Sequence, residues 1–281
     1  MIHFPLLSTV RLRVQMHELT IGQSMAIAGY PEGGEEAANT LMLRSCAGET
    51  NIDPQHWTLQ ERALGVGQYL MAINTDQPDF PIGDKGKFTD YLQPDHDIDP
   101  ATVSAPLYLG QLSGDHWGMQ HLYGYMLESI ERVQGMVDMP PRPDGQRQPM
   151  TPRQHWLFGC MAAQMVRVTA EDGTVQSVVD EIPAPEAVGA YDDWLMQRMR
   201  IFSAWPDNQF AALYMLYRVG KGALSHLFDW EFSVEGRPVF LPRPEAEKEA
   251  GAALPPANFP VDACLSPAAR ELGRKHEPTR A

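Results

Sequence analysis

The stretch from Glu186 to Leu224 constrains this chain most. Val188, Tyr191, Leu195, Met199 and Phe202 recur at steps of three and four, which places them on one stripe of an α-helix. Trp194, Ile201 and Trp205 form a second apolar stripe beside the first, with only Arg198 between them. Asp192, Asp193, Gln197 and Arg200 fall on the opposite side. Pro206 ends the helix, and Asp207 is placed to cap a second one whose face includes Phe210, Leu213, Tyr214 and Tyr217. This predicts a helical hairpin with more apolar surface than one small core needs. The plain account is that helices on two sides bury both stripes in one core. The functional account makes Trp194, Ile201 and Trp205 a subunit interface, where aromatic anchors dominate and each buried large apolar side chain contributes about 1.5–3 kcal/mol.

A chain of 281 residues buries a real core as one large domain or two small ones. The formal charge of −14, from 22 basic and 36 acidic residues, argues against a nucleic-acid partner, since phosphate backbones demand the opposite sign. The same charge repels anionic membranes, and no run of about 18 apolar residues exists to span one. Three distant cysteines, Cys46, Cys160 and Cys264, point to a reducing site of synthesis rather than a disulfide framework. Met1-Ile2-His3-Phe4-Pro5 lacks the basic start and apolar run of a signal peptide, so synthesis in the cytosol is expected.

In chain order, Val10, Leu12, Val14 and Met16 alternate with polar residues as in a half-buried strand. Thr20 reads as the cap of a short helix through Ala28, and a second helix runs from about Glu35 to Cys46. Thr58-Leu59-Gln60-Glu61 is a capping box, opening a helix with Leu59, Ala63, Val66, Leu70 and Ile73 on one face. Phe80 to Leu92, with Gly83-Asp84-Lys85-Gly86 at its middle, reads as a hairpin, and Asp95 to Pro100 as an acidic loop. Val103 to Leu112 reads as an irregular strand, Asp115 to Gln134 as a long helix, and Thr151-Pro152 as the start of a helix reaching about Val166. After a turn at Asp172-Gly173 comes the helical hairpin, then a small β-hairpin over Phe232 to Leu241. The predicted organisation is an α+β region over 1–138, a proline-rich linker over 139–150, a helical region with its β-hairpin over 151–241 and a proline-rich arm over 242–281. The fold class is therefore mainly α with small β-hairpins (α+β): a helical-bundle core, an N-terminal strand and an extended C-terminal arm that is disordered or laid over a partner.

Residue chemistry gives no catalytic signature. His56-Trp57, His116-Trp117 and His155-Trp156 each sit at a predicted helix start, and three converging histidines would suit zinc, yet none has the i,i+4 spacing of a helical metal pair. Asp95-His96-Asp97-Ile98-Asp99 begins like a calcium loop but has Pro100 where the turn needs glycine and Pro106 in place of the bidentate glutamate. Gly83-Asp84-Lys85-Gly86-Lys87 lacks the spacing and hydroxyl of a phosphate loop. Ser225, His226 and Asp229 are triad residue types without a nucleophile elbow. Glu18, Glu61, Glu128 and Glu131 are acid–base candidates that nothing in the sequence pairs, and solvated helix faces are their default reading.

Met16-His17-Glu18-Leu19-Thr20-Ile21-Gly22-Gln23-Ser24 resembles the N-terminal pattern of tailed-bacteriophage tail and baseplate assembly proteins, in which a basic-and-apolar strand leads into a Glu-Leu-Thr helix start. Leu41-Met42-Leu43-Arg44, Trp57-Thr58-Leu59-Gln60-Glu61-Arg62 and Asp90-Tyr91-Leu92 look like later blocks of such proteins, so the likeness covers roughly the first third of the chain. It implies a virion or tail-assembly role with other tail or baseplate proteins as partners, synthesis in the host cytoplasm and residence in the tail. It carries no catalytic residue. The expectation is a non-enzymatic structural or assembly component without cofactor or metal, working through an interface at Trp194, Ile201, Trp205 and Phe259, with self-association left open. The competing classes are a metal-dependent hydrolase using His56, His116 and His155, and a transient assembly chaperone.

Overall fold

The computed structural model describes residues 2–31, 33–74, 79–82, 86–228, 231–234, 237–240, 264–266 and 269–270. The chain opens with β1 (Leu6–Ser8) and β2 (Arg13–Gln15), an antiparallel pair that points Leu7 and Val14 into the core. The strand expected from Val10 is therefore shorter. Thr9 accepts the Arg11 and Leu12 amides through its hydroxyl and turns the chain there, leaving Val10 outside. Three helices follow: α1 (Ile21–Ala28), α2 (Glu35–Cys46) and α3 (Leu59–Ile73). The capping boxes Thr20/Gln23 and Thr58/Glu61 start α1 and α3, satisfying amides that have no partner inside the helix.

β3 (Pro81–Ile82) and β4 (Gly86–Lys87) pair as the expected hairpin, whose turn residues 83–85 lie outside the described residues. β5 (Leu92–Gln93) leads to α4 (Pro100–Ser104), a short helix within what the sequence suggested was loop and strand. Asp99 caps it and Pro100 takes the first helical position, where a missing amide costs nothing.

The largest departure comes next. β6 (Leu107–Leu112) falls within the strand expected over Val103 to Leu112, but the long helix expected from Asp115 is instead β7 (Asp115–Met119) and a shorter α5 (Gly124–Arg132). Ser113 and Gly114, with φ of 55° and 92°, form the tight turn whose hand matches twisted antiparallel strands. β8 (Asp138–Met139) pairs with β9 (Gln148–Pro149), and Thr151 caps α6 (Pro152–Gln164). Asp172 and Gly173 turn β10 (Met165–Glu171) into β11 (Thr174–Val178). β10 and β11 join β6 and β7 in a four-stranded antiparallel sheet of order β11-β10-β7-β6.

α7 (Val188–Ser203) packs on α5 and α6, and α8 (Asp207–Ala223) lies over β6. Pro206 rather than Asp207 occupies the cap of α8, and Asp207 is its first helical residue. β12 (Leu227–Phe228) pairs with β5, and β13 (Glu231–Val234) pairs with β14 (Arg237–Phe240). The architecture is α+β, with eight helices and small antiparallel sheets among the described residues. Two apolar clusters carry it. One gathers residues from Phe4 to Tyr91 and also takes Leu227, Phe228, Cys264 and Leu265. The other is built by α5, α6, α7, α8 and the large sheet. Cys264, Leu265 and Ala269, within the segment expected to be disordered or spread over a partner, are buried against the chain's own residues. Among the described residues no helix is long and apolar enough to cross a membrane.

Candidate functional site

α2, α3 and α5 meet at a buried guanidinium. Arg62 donates through Nη2 to the Glu36 carboxylate at 3.1 Å and to the Glu36 carbonyl at 2.8 Å. Its Nη1 donates to the Thr40 hydroxyl at 2.7 Å, and Thr40 in turn donates to Glu128. Gln55 donates to the other Glu128 oxygen at 3.0 Å. Glu131, one turn along α5, lies against the free amides at the start of α2 and accepts the Glu36 N–H at 3.1 Å. Gly34, which precedes α2, offers no side-chain cap, so a carboxylate from a distant helix completes that terminus. Gly124 is required beside them, since a Cβ there would lie 2.9 Å from the Pro54 carbonyl oxygen.

Burial raises the Glu36 carboxyl to about 7; Arg62 opposes that shift, while Glu131 and Glu128 add to it. Burial also raises Glu131, against the amides that favour its charged form. Glu128 and Glu131, unpaired in sequence, are thus brought into one network, while Glu18 stays on the surface and Glu61 belongs elsewhere.

A second network joins α3 to the segment around β12. Arg11 donates to Glu61 at 3.2 Å and to the His56 carbonyl at 3.0 Å, and lies over the Tyr123 ring. His226 has its Nδ1 3.0 Å from the Leu224 carbonyl, which only accepts, so Nδ1 carries the proton and Nε2 accepts from the Thr58 hydroxyl at 3.0 Å. Both ring nitrogens of His226 are therefore engaged away from Ser225, whose hydroxyl donates to the Phe228 carbonyl. Asp229 lies outside the described residues. His121 meets His226 edge to face at 5.3 Å and shares a 2.7 Å hydrogen bond with Thr102. Burial lowers His121 to about 3, with His226 and Arg11 adding to the shift, and burial lowers His226 too.

The predicted interface is divided by the fold. Tyr191, Leu195, Met199 and Phe202 are buried, but Val188, from the same stripe, is exposed. Trp194 is half-buried against Tyr191 at 5.2 Å and under Arg198 at 5.0 Å. Trp205, also half-buried, packs on Trp117 at 5.9 Å and Phe202 at 5.6 Å. Ile201 stays 47% exposed, and Phe259 lies outside the described residues. Arg198, which read as a polar break between two stripes, reaches inward. It pairs with buried Asp180 at 2.8 Å and donates to the Ala162 and Met165 carbonyls, pinning α7 to the α6–β10 junction.

No family model, curated protein or solved structure matches this chain.

The three histidines of the competing hydrolase reading sit on separate elements. His56 ends a 3-10 turn, His116 is in β7 rather than at a helix start, and His155 is buried in α6, its Nε2 2.6 Å from the Ile130 carbonyl. Among the described residues no group of three or more His, Cys, Asp or Glu side chains is placed to hold a metal ion. The acids of the would-be calcium loop have backbone work. Asp97 accepts the Val10 amide at 2.6 Å, and Asp99 accepts the Ala101 amide at 2.9 Å.

Proposed function

We propose that this chain is a structural or assembly component of a phage tail or baseplate, acting through protein contacts rather than catalysis. One observation carries the reading: large apolar side chains remain outside on both C-terminal helices, Val188 and Ile201 on α7 and Met215 and Val219 on α8. The resemblance of the Met16–Ser24 stretch and the later blocks supplies the biological setting. Trp194 and Trp205, packed on Tyr191 and Phe202, leave Ile201 as the part of the stripe open to a neighbour.

Mass spectrometry of purified particles and of assembly intermediates tests the proposal. A stoichiometric copy number in particles is expected for a permanent component, and presence in intermediates alone makes the role transient. Absence from both overturns it.

A further inference from the structure

The outer ridge of α8 is the most exposed apolar row on either C-terminal helix. Leu213, Tyr217 and Gly220 turn inward, and Gly220 packs so closely that a Cβ there would lie 2.5 Å from the Met119 sulfur. The opposite side then presents Ala211, Met215 and Val219 at steps of four, ending at Gly222, where a Cβ would meet nothing within 4 Å. Met215 is 57% exposed and Val219 63%. Arg218 and Lys221, both exposed, flank the row on one side, and among the described residues neither has a carboxylate within ion-pair distance. In a chain with a formal charge of −14, two uncompensated cations beside an uncovered apolar ridge are a specific pattern.

We infer that this ridge docks an amphipathic helix of a second protein, one with apolar side chains at i, i+4 and i+7 and carboxylates along one flank. Charge decides the occupant. An anionic membrane is repelled by the molecule as a whole. A second α8 brings only one acid, Asp207 at its first position, and so leaves Arg218 and Lys221 largely uncompensated. An acidic helix supplies what Arg218 and Lys221 lack, and the exposed Gly222 lets it approach closely. The inference rests on the contact role proposed above and names the surface and the partner's chemistry.

Two labelled synthetic helical peptides with the same leucine ridge, one flanked by glutamate and one by lysine, are titrated with the full chain by fluorescence anisotropy. The glutamate peptide is expected to bind roughly tenfold more tightly, the effect of two exposed ion pairs replaced by two like-charge contacts. The preference should fade as salt shortens the Debye length from about 10 Å to about 3 Å. Arg218→Glu with Lys221→Glu should invert it, and Met215→Asp should weaken both peptides at least tenfold, with an unchanged circular-dichroism melt reporting the fold. Equal affinity for the two peptides, binding of neither, or a concentration-dependent dimer abolished by Met215→Asp overturns the inference. A chain found in particles that binds neither peptide sinks this inference alone. Selective binding by a chain absent from particles and intermediates sinks only the tail reading.

Discussion

Replacing Glu36 with glutamine tests the buried carboxylate network at its most loaded point. Three carboxylates lie close together there: Glu36 pairs with the buried Arg62, Glu128 with the half-exposed Arg132, and Glu131 accepts the Glu36 amide. Burial lifts Glu36 from an ordinary 4.5 to about 7. Between those values the folded protein holds a proton that the unfolded chain has released, so unfolding free energy falls as pH rises through this window. The contribution is complete below pH 4.5 and gone above about 7, a sign opposite to that of a carboxylate whose partners lower its pKa. At about 1.4 kcal/mol per pH unit the total is on the order of 3 kcal/mol. Glutamine resembles the protonated acid and does not titrate. Glu36→Gln should therefore match the natural protein near pH 5 and exceed it in stability by pH 8. The assay is urea denaturation of both proteins at fixed ionic strength from pH 5 to 8, read as the difference between them, which cancels Glu61 and the histidines and leaves Glu36 with the carboxylates coupled to it. A difference that stays constant with pH, or grows in favour of the natural protein, would refute the reasoning.

Other expectations follow from the same geometry. Asp180→Ala leaves the Arg198 guanidinium buried without its counter-ion and should cost about 3–5 kcal/mol in chemical denaturation, much of it recovered when Arg198→Met is added. Gly67→Ala forces a Cβ into the Phe88 ring and should cost about 1–3 kcal/mol, seen as a lowered thermal midpoint. His121 works in the other direction from Glu36: its pKa is lowered from 6.5 to about 3, so the unfolded chain binds the extra proton and stability drops as pH falls through that range. His121→Asn should flatten the acid limb of the stability curve between pH 6.5 and 3, measured by thermal melts.

Local signals were legible where one segment decides its own conformation. Thr20, Thr58 and Thr151 each start a helix because the residue three positions on completes the reciprocal hydrogen bonds, and all of that lies within four residues. The apolar period of Tyr191 to Phe202 likewise found its buried face. Asp115 to Met119 did not, since apolar groups there fit a helix in isolation and a strand once β10 lies alongside. The Ser113-Gly114 dipeptide was the available clue, a pair suited to positive φ. Arg198 was misleading because a long side chain on an apolar stripe looks like an interruption until Asp180, eighteen residues upstream, arrives to neutralise it. The Glu36–Arg62–Glu128 network lay beyond reach for the same reason, with up to 92 positions separating its members.

The placement of Leu227, Phe228, Cys264 and Leu265 among the residues that β1 to β5 gather has a consequence for how the molecule is made. Leu227 and Phe228 zip onto Gln93 and Leu92, closing a loop of more than 130 residues. During synthesis the first ninety residues emerge with the floor of their interior missing. At about 5–20 residues per second, its closing strand follows on the order of ten seconds later. Until then Phe88, Tyr91 and their neighbours face water or a helper, so a chain cut before Leu227 should be released with an open, adhesive first half even though every helix of that half has already been translated.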